Sequence, residues 1–217
     1  DTYRTLMAAD SAVMVIDASK GVERQTRKLF KVCVMRDIPI FTFINKMDRE
    51  ARSPYDLLDE IEKELGIATY PMNWPIGSGK GFKGVYDREH REILSFVANN
   101  GSQEVEAVHA DPSDPALGKL IGEDHRQTLA DDIELLDGAS VPFDNDAVRH
   151  GKLSPVFFGS ALTNFGVEPF LKEFLRLTTP PLPRETEDGA VDILTFDDED
   201  GKAAFRHTAS HIMAQAI

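Results

Sequence analysis

Cysteine is nearly absent from this chain. Cys33 is the only one in 217 residues, which excludes an internal disulfide and fits a reducing, cytoplasmic setting. Basic residues are also scarce, with 24 Lys and Arg against 37 Asp and Glu for a formal charge of -13. Nucleic-acid binding driven by charge alone is thereby excluded, because neutralising phosphates needs clustered Lys and Arg. No independent nucleic-acid binding is expected, and any contact with an RNA-rich partner must be local. No apolar run is long enough for a membrane span and no leader is evident, so a soluble chain without a membrane partner is expected. An initiating Met is missing too, and from Asp1 the chain is expected to enter its fold midway. Also absent is any Gly-Lys followed by Ser or Thr: the pairs at 79–80, 118–119, 151–152 and 201–202 all continue otherwise. What is present is 41% apolar residues, enough to bury a core in one large domain or one and a half.

The apolar run Ile40, Phe41, Phe43, Ile44 reads as a buried parallel strand that ends in Asn45-Lys46-Met47-Asp48. Asn-Lys-x-Asp at a strand end has the makings of a guanine-recognition loop. Asp48 can accept from the guanine N1-H and N2-H2, an edge adenine does not present; Asn45 can bond the other side of the base, and the Lys46 stem can lie along its face. The alternative is an Asx turn that merely ends a strand. A second apolar strand, Pro155 to Phe158, runs through Gly159 into Ser160-Ala161-Leu162, for which the plain alternative is the start of a helix. Ligands of open parallel sheets sit beyond the carboxyl ends of the strands, so two such loops can meet over one base. Ser160 and Ala161 would then offer a backbone N–H to O6. Candidate guanine-binding residues are therefore Asn45, Lys46, Asp48, Ser160, Ala161 and Leu162.

Around these loops the patterning predicts α/β architecture. Asp1 to Ala9 reads as a helix with Tyr3, Leu6 and Met7 on one side, and Val13 to Ile16 as a strand ending at Asp17, a strand-end or capping residue rather than a catalytic one. A helix from Val22 to about Met35 has apolar positions that include Leu29, Phe30, Val32 and Cys33, and completes a crossover to the next strand. Ser53-Pro54-Tyr55-Asp56 starts a helix whose stripe is Leu57, Leu58, Ile61 and Leu65, closed by Gly66. Residues 67 to 153 read as an insertion: short strands near 72–77, 82–87 and 92–96, a polar loop from Asn99 to Asp114, and an acidic helix from Asp124 to Leu136. Gly77-Ser78-Gly79-Lys80-Gly81 invites a phosphate-loop reading, but the position that needs Gly is Trp74 and Lys80 precedes Gly81, so a hairpin turn is expected. The last helix, Val167 to Leu177, should face the sheet with Phe170, Leu171, Phe174 and Leu175, and Pro180 to Pro183 stops it as a stiff linker.

Asp1-Thr2-Tyr3-Arg4-Thr5-Leu6, Val15-Ile16-Asp17-Ala18, Asn45-Lys46-Met47-Asp48, Asn73-Trp74-Pro75-Ile76-Gly77, Phe82-Lys83-Gly84-Val85-Tyr86 and Pro155 to Leu162 stand in one order. With them, residues 1 to about 183 resemble the GTP-binding domain of the bacterial release factor three family, the class II peptide chain release factors. The resemblance implies the C-terminal part of a P-loop GTPase, with a doubly wound, mostly parallel sheet and an inserted strand-and-helix subdomain. It also implies GTP and GDP as ligands, the ribosome and class I release factors as partners, and a cytoplasmic setting. The family's Walker loop, switch I threonine and Asp-x-x-Gly would all precede Asp1. The one Asp-x-x-Gly here, Asp198 to Gly201, follows the guanine loops and reads as an acidic turn. No catalytic residue and no metal ligand is therefore assigned, Mg2+ is expected only in the complete protein, and the chain alone is expected to be inactive.

Residues 184 to 217 read as a linker and foreign tail. From about 185 they resemble the start of the editing domain of threonyl-tRNA synthetase, in which His-x-x-x-His helps to hydrolyse a mischarged serine. His207 and His211 match that motif and share a helix face; the spacing also suits zinc, but no third ligand accompanies them. An inert tail, a junction and a truncated fusion all remain open.

Overall fold

Two interleaved apolar sets, one on each side of the strands, set the architecture. The computed structural model describes residues 9–99, 102–109, 111–139, 142–178, 185–186 and 189–190. The chain divides into two compact units, Asp1–Thr178 and Thr179–Ile217. In chain order the first unit holds β1 (Ala12–Asp17), α1 (Arg24–Met35), β2 (Ile40–Asn45), α2 (Pro54–Leu65), β3 (Ala68–Pro71), β4 (Asn73–Ile76), β5 (Gly84–Asp87), β6 (Glu92–Asn99), β7 (Ser102–His109), α3 (Gly118–Ile121), α4 (Glu123–Ala139), α5 (Asn145–Arg149), β8 (Leu153–Phe158) and α6 (Val167–Leu177). In the second unit Glu185–Thr186 pairs antiparallel with Gly189–Ala190.

β1, β2, β8 and β3 lie side by side in that order, every neighbouring pair parallel. β2 and β8 are central and buried on both faces, as their largely apolar runs require. Met14, Ile16, Ile40, Ile44, Val156 and Phe158 share one core with Phe30 and Cys33 of α1 and with Leu57, Leu58 and Ile61 of α2. Phe41, Phe43 and Phe157 share the other with Val148 of α5 and with Phe170 and Leu177 of α6. There Phe41 meets Phe174 edge-on at 4.9 Å and Phe43 meets Phe170 at 5.3 Å. The hydroxyls of Thr42 and Ser154 face each other at 2.8 Å inside the sheet, so neither is buried without a partner. β1 is an edge strand, as is β3, and pairs only with β2 among the described residues; its Val13 and Val15, in register with Phe41 and Phe43, are exposed.

A second sheet, β4-β5-β6-β7, is antiparallel throughout. Trp74, Tyr86 and Ile93 pack with Leu129, Ile133 and Leu136 of α4, in one core with α1 and α2. Asp132 of α4 accepts from Trp74 Nε1 at 2.9 Å and from the Tyr55 hydroxyl of α2 at 2.8 Å, so one carboxylate ties the inserted sheet to the parallel domain. Burial, with that carboxylate beside it, pushes the Tyr55 hydroxyl well above its ordinary value.

Several expectations change. Ala68–Pro71 pairs with β8, so the insertion departs after β3 rather than at residue 67. The stretch read as a polar loop from Asn99 contains β7, whose Gln103-Glu104-Val105-Glu106-Ala107-Val108 alternates in a way its charge obscured. Leu171 and Leu175 do not face the sheet: they are 50% and 75% exposed, one position beyond Phe170 and Phe174, which take the sheet-facing line. Ser53 occupies the N-cap of α2 without a side-chain cap bond, whereas Gly66 ends that helix in the left-handed conformation as its position demands. The helix expected from Asp1, the Pro180 to Pro183 linker, His207 and His211 fall outside the described residues.

Candidate functional site

Register brings the site together. Asp17 stands opposite Asn45, and Ile44 opposite Phe158, so the carboxyl ends of β1, β2 and β8 are level and the loops leaving them share one corner. Backbone bonds lock the two principal loops: the Gly159 N–H donates to the Ile44 carbonyl at 3.0 Å, and the Met47 N–H to the Gly159 carbonyl at 3.1 Å.

The side chains complete the lock. Asn45 Oδ1 accepts the Lys46 and Ala161 N–H groups, each at 2.8 Å, which identifies the oxygen end of the amide and leaves its NH2 end as a donor. Asp48 Oδ1 accepts the Ser160 hydroxyl at 2.5 Å, and Ser160 itself is fully buried. Lys46 sits at φ 72°, a left-handed conformation that a residue with a side chain adopts at some cost. Its Nζ reaches Asp17 Oδ2 at 2.7 Å, while Asp17 Oδ1 accepts the Ser19 N–H and hydroxyl at 2.9 and 2.7 Å. The Lys46 ammonium, helped by the Ser19 hydroxyl, holds the Asp17 carboxyl far below the ordinary carboxylate range.

Direct contacts thus join Asn45, Lys46, Asp48, Ser160 and Ala161, and Leu162 follows with a side chain 78% exposed. The backbone donors differ from expectation. The Ser160 N–H donates to the Phe165 carbonyl at 3.0 Å and the Ala161 N–H to Asn45, so neither projects freely into the corner. Sequence reasoning missed Asp17 as the partner of Lys46, although its place at the end of a strand parallel to β2 was the signal that could have found it. Asp87, His90 and Glu92 form a separate group whose ligand-type atoms lie within 4.8 Å of one another on the β5–β6 turn. There the Asp87 carboxylate bonds the His90 ring at 3.1 Å and raises its pKa.

The family model described as the elongation factor Tu GTP binding domain matches residues 1–180. The chain belongs to that GTP-binding domain family. Within the family it is 56% identical over 195 residues to peptide chain release factor 3 of Symbiobacterium thermophilum, covering 88% of this chain and 37% of the relative. Peptide chain release factor 3 of Cyanothece sp. is 54% identical over 192 residues, covering 88% of this chain and 35% of the relative. That of Acaryochloris marina is 49% identical over 202 residues, covering 93% and 37%. A crystal structure from Thermus thermophilus superposes with a TM-score of 0.57 at 25% identity, over 83% of this chain and 28% of that one. The chain spans about a third of the length of the curated relatives it matches. As a GTP-binding domain of the elongation factor Tu family it has the expected α/β form, a parallel sheet with helices on both faces. Among the described residues no helix is long and apolar enough to cross a membrane.

Proposed function

We propose that this chain is the base-recognising part of a cytoplasmic translational GTPase of termination, which in complete form works on the ribosome to release class I release factors after peptide release. The observation that carries the reading is the pair of bonds joining Asp48 to Ser160 and Asn45 to Ala161 across the two loops. A guanine would lie in this corner with N1-H and N2-H2 on the Asp48 carboxylate, whose Oδ1 is already oriented by Ser160. The free NH2 end of Asn45 would donate to N7, and O6 would compete with Asn45 Oδ1 for the Ala161 N–H. The Lys46 stem, anchored at its far end by Asp17, would cover one face of the ring and the exposed Leu162 the other.

GDP and GTP are the ligands this donor set fits. No Gly-Lys of the chain continues with Ser or Thr, so residues 1–217 provide neither that phosphate cradle nor its hydroxyl for Mg2+, and hydrolysis is assigned to the complete protein. On this reading residues 1–183 are a partial GTP-binding domain that binds guanine nucleotide weakly and hydrolyses none, and 184–217 are a linker and tail. His207 and His211 in that tail match the spacing of a tRNA-editing motif, and no activity is assigned to them. Titrating the isotope-labelled chain with GDP and with ADP tests the proposal: GDP should move the amide resonances of Asn45, Asp48 and Ala161 in a saturable way and ADP should not. Equal responses to both nucleotides would reject it.

A further inference from the structure

The Gly77 to Gly81 turn is no phosphate loop, yet it lies against the guanine loop. The Gly79 N–H donates to the carbonyls of Met47 at 2.9 Å and Arg49 at 3.1 Å, on either side of Asp48. That approach requires glycine twice: Gly79 is at φ +58°, and at Gly77, φ +73°, an added Cβ would sit 2.4 Å from the Gly81 carbonyl oxygen. Four residues before the turn, the buried Asn73 grips the other loop's strand. Its Oδ1 accepts the Phe158 N–H at 2.7 Å and its Nδ2 donates to the Phe158 carbonyl at 3.1 Å, two residues ahead of Ser160. Just past the turn, the Phe82 ring meets Phe165 edge-on at 5.4 Å. Phe165 in turn exchanges two backbone bonds with Ser160, at 2.8 and 3.0 Å.

From these contacts we infer that the inserted β4–β5 hairpin braces the base site, with Asn73, Gly79 and Phe82 as positioning residues that fix the distance between Asp48 and Ser160. One short hairpin touches both loops. The inference rests on the guanine reading above and adds to it a role for the insertion: base selection depends on a subdomain that contributes no atom to the base. A partner that displaced the hairpin would therefore loosen the nucleotide.

The test compares GDP with IDP, which lacks the 2-amino group and so reports where the Asp48 carboxylate sits. Dissociation constants come from amide-shift titrations of the whole chain, with Trp74, the only tryptophan and a member of the hairpin, as a fluorescent monitor of the insertion. Wild type should prefer GDP by about tenfold or more, the worth of one hydrogen bond to a charged acceptor. Gly79→Ala, which strains the donor, should reduce that preference at least about threefold while leaving Trp74 emission unchanged. Asn73→Asp, which keeps an acceptor for Phe158 N–H but sets a carboxylate against its carbonyl, should do the same, and Phe82→Leu serves where either fails to fold. A simple loss of stability would weaken both nucleotides alike. Folded variants with the wild-type GDP to IDP ratio would overturn the brace and leave the guanine site standing; a wild-type chain that does not distinguish GDP from ADP would overturn both.

Discussion

Replacing Asp48 by Asn should exchange one purine for another, and the structure indicates by how much. In the proposed complex the carboxylate takes N1-H and N2-H2, and hydrogen bonds to a charged group are worth about 1.5–3 kcal/mol each. The amide introduced by Asp48→Asn retains one acceptor. Ser160 decides where that acceptor points, because its buried hydroxyl donates to Oδ1. With oxygen held on Ser160, the amide NH2 turns to the base. There it meets two donors of guanine but the C2 carbonyl of xanthine. The loss for GDP is then about 3 kcal/mol, roughly a hundredfold in affinity, and XDP gains a bond, so the GDP to XDP ratio should fall by at least about a hundredfold. Competitive titration of both nucleotides against the variant measures the ratio directly. Adding Ser160→Ala should blunt the reversal, because the amide then has no reason to choose its orientation. A GDP to XDP ratio within about twofold of wild type would refute the placement of Asp48 at the base edge.

Three other outcomes are expected. Asp17→Asn should cost about 1 kcal/mol or less of stability, since Lys46 is 42% exposed and its charge is partly screened. The Asp17 carboxyl is held below its ordinary 3.8, so its contribution is complete above that pH and is lost as pH falls through the lower folded value. The stability gap between wild type and variant should therefore stay constant from about pH 5 to 8 and close only well below pH 4; a gap that closes near neutrality would contradict the ion pair. Thr42→Val should destabilise by about 1–3 kcal/mol in urea unfolding because it strands the buried Ser154 hydroxyl, and adding Ser154→Ala should recover much of the loss. Phosphate release from GTP by the isolated chain on ribosomes should stay at background, and turnover above it would show that residues 1–217 do contain a phosphate cradle.

That the two loops carrying Asn45 to Asp48 and Ser160 to Leu162 share one corner was legible before any coordinate. Asn45 to Asp48 and Ser160 to Leu162 each follow a largely apolar strand, and a residue type at a strand end is a local property that sequence records. The central strands and the stripe of α2 were legible for the same reason: burial on both faces, or on one line of a helix, repeats along the chain. Leu171 and Leu175 mislead because apolar character alone does not say which of two adjacent lines on a helix meets a sheet. That is settled by where Phe41, Phe43 and Phe157 present their rings. β7 was missed because Gln103, Glu104 and Glu106 make the stretch polar, whereas its ladder to β6 is made by the backbone.

By itself, the sequence determined the chemistry available: a carboxylate, an amide, a lysine and a small serine-alanine corner at two strand ends, with no Gly-Lys followed by Ser or Thr to accompany them. Tertiary structure alone decided that Asp17 anchors Lys46, that Ser160 orients Asp48, and that the hairpin carrying Asn73 and Gly79 rests on both loops. Each of these contacts joins residues 29 to 112 positions apart. Only strand order and register bring such residues within a hydrogen bond of each other, and neither is a periodicity that a local stretch of chain can carry.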